Sequence, residues 1–159
     1  MNTFLALSTV AALALLCLSV MAGRCVPVSL SDSYYKLGRY GWMFQLMLSA
    51  TAVTLFPVWV SSSGSDHEWM VFLSCASLLF VASAPCFRQD LQGKIHYSSA
   101  VACCICSLLW QVSEGLWDVT LWFAFVAGML SLQWRNKWCW WMEAAVAGSV
   151  YCNLYRMNF

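Results

Sequence analysis

Glu143 stands apart from every other acidic side chain in this sequence. It lies inside an apolar stretch, just after Trp138, Trp140 and Trp141 and just before Ala144 and Ala145. An ionised carboxylate is costly in hydrocarbon, so such a residue faces a helix bundle, finds a partner such as His96 or Lys94, or holds a proton. Its other reading is a side chain that reaches back to the membrane interface beside the tryptophans. Asp90 and His96 form a second candidate, because an imidazole titrates near neutrality and a neighbouring carboxylate orients it for acid–base work. Asp32 is the third, in the polar and aromatic run Pro27-Val28-Ser29-Leu30-Ser31-Asp32-Ser33-Tyr34-Tyr35. With Ser31 and Tyr35 it reads either as the mouth of a cytoplasm-facing cavity or as a plain helix start, Ser29 capping a helix whose third residue is Asp32. Asp32, Asp90, His96 and Glu143 are therefore the candidate catalytic residues.

Other site chemistries find little support. Of the nine cysteines, most sit in apolar runs, where they read as small packing residues and not as a disulfide framework. Cys103 and Cys106 have a spacing of three that could ligate metal from one helix face, but no second pair completes the four ligands of a closed zinc site. The chain has only two histidines, His67 and His96, which the charge pattern places on opposite faces, so a multi-histidine intramembrane hydrolase is excluded. There is no phosphate-binding glycine loop, no Gly-x-Ser-x-Gly elbow and no His-Glu-x-x-His. No metal and no cofactor are expected.

The elements that must position these residues follow from composition. Hydrophobic residues make up 62% of the chain and charged residues 9%, and the mean hydropathy is +0.69; soluble domains carry about a quarter charged residues. A crossing helix needs about 20 mostly apolar residues. Six stretches qualify, at 3–22, 41–60, 69–87, 97–112, 116–134 and 138–155. The expected fold is an all-α integral membrane bundle of six transmembrane helices in a single domain, 1–159. The first stretch has no basic residue before it and Arg24 just after it, so it reads as a retained span and not a cleaved leader. Ser113-Glu114-Gly115 is the tight turn between the fourth and fifth stretches, with a glycine free to take positive φ.

Orientation follows from lysine and arginine. Arg24, Lys36 and Arg39 follow the first stretch, Arg88 and Lys94 the third, and Arg135 and Lys137 the fifth, whereas the opposite face carries only Arg156. Basic connections stay on the cytoplasmic side, so both termini are expected outside, in a bacterial cytoplasmic membrane. Trp42, Trp59, Trp69, Trp110, Trp117, Trp134, Trp138, Trp140 and Trp141 fall near stretch ends, as interfacial indoles do, and only Trp122 lies deeper. The outer face gathers Asp66, Glu68, Glu114 and Asp118, with Gln111 one turn inside. That rim reads either as a cation-collecting pore mouth or as an ordinary acidic exterior. Ala144 with Gly148, Ala145 with Ser149, and Ala124 with Gly128 repeat small residues at the spacing that lets helices approach closely, within one chain or between two.

The element Ser29, Leu30, Ser31, Tyr34 and Tyr35 resembles one found after the first span in a group of small bacterial polytopic membrane proteins of uncharacterised activity. Ala84-Pro85-Cys86-Phe87, followed by Asp90, His96 and Ala100, is a second similarity. More loosely, the chain resembles the six-span DRAM/Sfk-like proteins. The resemblance implies a membrane bundle and no particular reaction. The expected function is a non-enzymatic integral protein of the inner membrane acting through lipid or protein contacts. The alternatives are a small oligomeric transporter or channel, and a membrane enzyme acting on an amphiphilic substrate. Expected partners are membrane lipids, anionic at the basic face, and a possible second copy of the chain; nucleic acid is not expected.

Overall fold

The computed structural model describes residues 2–23, 26–86 and 89–159, and the side chains of 3–22, 26–85 and 92–159. Among these residues all regular secondary structure is helical and there is no strand. The helices are α1 (Asn2–Gly23), the short α2 (Asp32–Leu37), α3 (Gly41–Ser61), α4 (Glu68–Ser83), α5 (Gln89–Ser113), α6 (Trp117–Gln133) and α7 (Trp138–Asn158). Tight single turns, Gly38–Tyr40, Ala84–Cys86 and Arg135–Lys137, lead into α3, follow α4 and precede α7. Three continuous helical stretches, Thr3–Ala22, Asp32–Ser61 and Gln92–Ser113, are long and apolar enough to cross a membrane, and Glu68–Ser83 is apolar but shorter.

Five of the six apolar stretches coincide with helices to within four residues at each end. The exception is α5, which begins at Gln89 and not near Tyr97. Hydropathy marks the apolar part of a helix and not its end; the polar lead-in, including Gln89, Gln92 and Lys94, consists largely of good helix formers. Asp90, Lys94 and His96 therefore belong to a helix, where the sequence placed them in a connection. Gly115 takes φ 73°, as its place in the turn between α5 and α6 requires.

The six long helices alternate in direction. One interior cluster joins Leu5 of α1, Trp59 of α3, Val71 of α4, Trp110 of α5 and Leu154 of α7. A second, at the other end, joins Leu15, Phe44, Leu48, Val81 and Ala82. The N-terminus, the 62–67 connection, the 113–116 turn and the C-terminus thus share one end, and the connections 26–40 and 134–137 lie at the other. Helices α1, α3, α4 and α5 pack side by side in sequence order, and α6 pairs with α7 as a hairpin. Outside this interior the surface is strongly apolar, as Val10, Phe72, Trp122, Phe125 and Leu132 all show by their exposure. Such a continuous apolar exterior belongs to a protein solvated by lipid tails.

Two packing expectations change. Trp59, Trp110 and Trp140 are not interfacial anchors but interior residues, exposed by only 1%, 0% and 8%. Trp59 and Trp110 meet edge to face, with ring centroids 5.2 Å apart, and the Trp110 indole N–H donates to the Ser63 hydroxyl at 2.7 Å. A large flat side chain with one donor fills a bundle end as well as it fills an interface. The small residues also divide. Ala124 and Gly128 are exposed, and a Cβ at Gly128 would meet nothing within 4 Å, whereas one at Gly148 would sit 2.5 Å from the Phe123 ring. Of the two glycines, Gly148 is the one that packs against α6, at Phe123. Replacing Gly148 with Leu is therefore expected to destabilise the protein by about 1–3 kcal/mol through overpacking, while Gly128→Ala is neutral or slightly stabilising. Denaturation in detergent checks this, and adding Phe123→Ala restores part of the Gly148→Leu loss; equal effects at the two glycines would contradict it.

Candidate functional site

The connection between α1 and α3 folds back over the start of α7. Ser29 accepts the Asp32 N–H at 3.2 Å and its hydroxyl lies 3.0 Å from that of Ser31, but α2 begins at Asp32, its first residue and not its third, and Ser31, which makes no side-chain cap bond, holds the capping position. Asp32 itself is spent on Lys36, one turn later, at 2.6 Å. The Trp140 N–H donates to the Val28 carbonyl at 3.1 Å, and the Leu30 N–H donates to Glu143 Oε2 at 2.7 Å. Glu143 thus finds its partner in a backbone amide, where the sequence pointed to His96 or Lys94. A backbone donor has no residue-type signature, so spacing alone does not reveal it.

Behind this connection lies an internal cavity of about 280 Å³, walled by α1, α3, α5 and α7, with Leu78 and Val81 of α4. Its surface is overwhelmingly apolar. The polar exceptions fall into two groups: Ser31, His96 and Glu143 toward the end with the basic connections, and Thr9, Thr51 and Tyr151 toward the other. A much smaller cavity, about 150 Å³, already admits benzene. A second pocket of about 10 Å³, lined by Ser31, Tyr35, Gln92 and His96 among others, is no larger than a water molecule needs. There Gln92 donates to the Tyr35 hydroxyl at 3.1 Å.

Of the four candidates, the structure brings His96 and Glu143 to one cavity wall and leaves Asp32 on the surface with Lys36. Asp90 lies in the first turn of α5, and its side chain lies outside the described residues. The helix separates it from His96 by six positions, which do not adjoin on a helix surface. Among the described residues His96 enters no ion pair with an acid, and no three His, Cys, Asp or Glu residues gather as a metal would require. Cys17, Cys75, Cys103, Cys104, Cys106, Cys139 and Cys152 are free thiols.

At the opposite end two of the acids are paired. Glu114 accepts the Gly64 N–H at 2.8 Å and lies 3.0 Å from His67 Nδ1, and Arg156 holds Asp118 at 2.7 Å. Beneath them Gln111 and Asn153, both fully buried, link α5, α6 and α7. Asn153 Nδ2 donates to Gln111 Oε1 at 3.0 Å and Thr120 donates to the same oxygen at 2.7 Å. Sequence reasoning noted Gln111 but missed Asn153, although an amide inside an apolar stretch is a usable signal for an interhelical bond.

No family model, no curated protein and no solved structure matches the chain, so the chemistry of the site rests on its geometry. The latch at Glu143 makes a clear prediction. Glu143→Ala leaves the Leu30 N–H without its acceptor and should cost about 1–3 kcal/mol, whereas Glu143→Gln keeps a carbonyl acceptor and should cost less than half as much. Thermal denaturation, with limited proteolysis at 26–31, reads both; equal losses, or none, would show that the carboxylate does not hold the connection.

Proposed function

We propose that this chain is an integral protein of a bacterial cytoplasmic membrane, crossed by all six long helices, with both termini outside, and that it acts by binding bilayer lipid and not by catalysis. The observation that carries this reading is the partition of charge between the two ends of the alternating bundle. Lys36, Arg39, Lys94, Arg135 and Lys137 lie at one end, and Asp66, Glu68, Glu114 and Asp118 at the other. Lys36 is neutralised by Asp32, and Arg39 lies over the Tyr40 ring at 4.7 Å. Lys94, Arg135 and Lys137 enter no ion pair among the described residues. Each such cation near a membrane surface is worth about 1 kcal/mol toward anionic lipid. Shared placement of the two termini supports an even number of crossings, and the apolar exterior supports lipid contact along the whole bundle. Kinship with the small bacterial membrane proteins that carry the Ser29–Tyr35 element is part of the proposal and rests on that motif.

A second reading, a membrane enzyme for an amphiphilic substrate, is favoured by one observation: His96 and Glu143 border the same apolar cavity. The channel reading draws less support, because the acidic end is filled by Trp59, Trp110, Gln111 and Asn153. Reporters active on only one side of the membrane, fused to each terminus, test the topology; both should be active outside, and activity on opposite sides would refute it. Changing Lys94, Arg135 and Lys137 together to Gln should lower the ratio of anionic to zwitterionic lipid retained on purification at least several-fold. An unchanged ratio would remove the basic end from lipid selection.

A further inference from the structure

Helices α1 and α7 run antiparallel and are joined by side chains at two heights. Toward the acidic end the Tyr151 hydroxyl donates to the Ser8 carbonyl at 3.1 Å and pairs with the Ser8 hydroxyl, and Tyr155 lies 3.0 Å from Thr9 Oγ1. Toward the basic end the Trp140 indole N–H donates to the Ser19 hydroxyl at 3.3 Å. The twelve residues from Ser8 to Ser19 thus face the twelve from Trp140 to Tyr151, about 16 Å of helix at ~1.5 Å per residue. Between the two clamps the facing residues include Ala12 and Leu13 on α1 and Ala144, Ala147 and Gly148 on α7, all lining the cavity. The α7 residues are too small to close the gap. Leu13 is 55% exposed while also lining the cavity, so the cavity reaches the outside between these helices. That opening lies near the middle of the apolar stretch Thr3–Ala22, at the depth of hydrocarbon and not of water.

We propose that this lateral opening admits one acyl chain of an anionic glycerolipid into the cavity, with the headgroup at the basic end. The inference rests on the membrane reading above and adds a specific ligand and site to it. The cavity lining matches hydrocarbon, its volume is nearly twice the roughly 150 Å³ that accepts benzene, and the clamps hold the helices apart over several turns. The polar end fits a headgroup and its linkage: His96 and Ser31 border the cavity, and Lys94, Arg135 and Lys137, outside its lining, give this end of the bundle its positive charge. Glu143 also borders the cavity, its Oε2 accepting the Leu30 N–H at 2.7 Å. A lipid of the basic leaflet thereby keeps its head at the surface while one chain extends toward Thr51 and Tyr151.

The test uses the full-length protein in phosphatidylethanolamine vesicles containing phosphatidylglycerol with a photoactivatable diazirine at the end of one chain. Peptide mapping is expected to place crosslinks on α1 between Thr9 and Leu16 and on α7 between Ala144 and Tyr151. Ala147→Phe, which fills the cavity from α7, should cut these crosslinks at least tenfold without lowering the melting temperature; Ala12→Phe from the opposite wall should do the same. The same probe chain on phosphatidylcholine should label the cavity several-fold less, and equal labelling would overturn the anionic headgroup. Wild-type crosslinks confined to outward residues such as Phe125 and Leu132, or cavity crosslinks unaffected by a filled variant that keeps its melting temperature, would overturn the acyl-chain site. Failure of the membrane reading would show separately, as protein extracted from the vesicles by alkali before any crosslinking.

Discussion

Hydrocarbon offers no hydrogen-bond partners, and that constraint governs the polar residues of this chain. Every hydroxyl, amide and carboxylate inside the bundle must be answered by another protein group or left at a cost of several kcal/mol. The answers here run between helices distant in sequence. Ser8 and Thr9 of α1 meet Tyr151 and Tyr155 of α7, Gln111 of α5 meets Asn153 of α7 and Thr120 of α6, and the connection after α1 is held by Glu143. Helix α7 is the hub of these bonds. It packs closely only on α6, and its polar side chains fasten that hairpin to the row formed by α1, α3, α4 and α5.

Closure by polar contacts at two heights, with alanine and glycine between them, explains how a bundle this small contains a cavity. Gly148 serves both sides of α7, since it receives the Phe123 ring of α6 on one side and borders the cavity on the other. The same economy applies to Glu143. It reads in isolation as a reactive group, yet it fixes the backbone of a connection and also borders the cavity. Its position is explained by structure whether or not chemistry also occurs beside it.

Much of the architecture was legible because apolar length and charge placement act at long range and leave a one-dimensional record. The helices from Asn2, Gly41, Trp117 and Trp138 and the Gly115 turn were all readable from residue type and spacing. The start of α5 was not, since polar helix formers continue a helix past its apolar part. The burial of Trp59, Trp110 and Trp140 was hidden because an indole near a helix end suits an interface and a bundle end equally well. The partner of Glu143 is a main-chain amide, and the cavity is a property of how α1 and α7 are spaced; neither is written in any single stretch of residues. His96 was singled out as one half of a pair with Asp90, and its visible relationship is instead with the cavity it shares with Glu143.

The account depends most on α7 closing against α1 in the register set by Ser8 and Tyr151. A double-mutant cycle with Ser8→Ala and Tyr151→Phe, measured by reversible unfolding in detergent or lipid, tests that closure directly. Hydrogen bonds between membrane helices average about 0.6 kcal/mol and reach about 1.7 kcal/mol, so a coupling in that range is expected. Additivity of the two substitutions, with no coupling beyond error, would contradict the contact and with it the bundle that encloses the cavity.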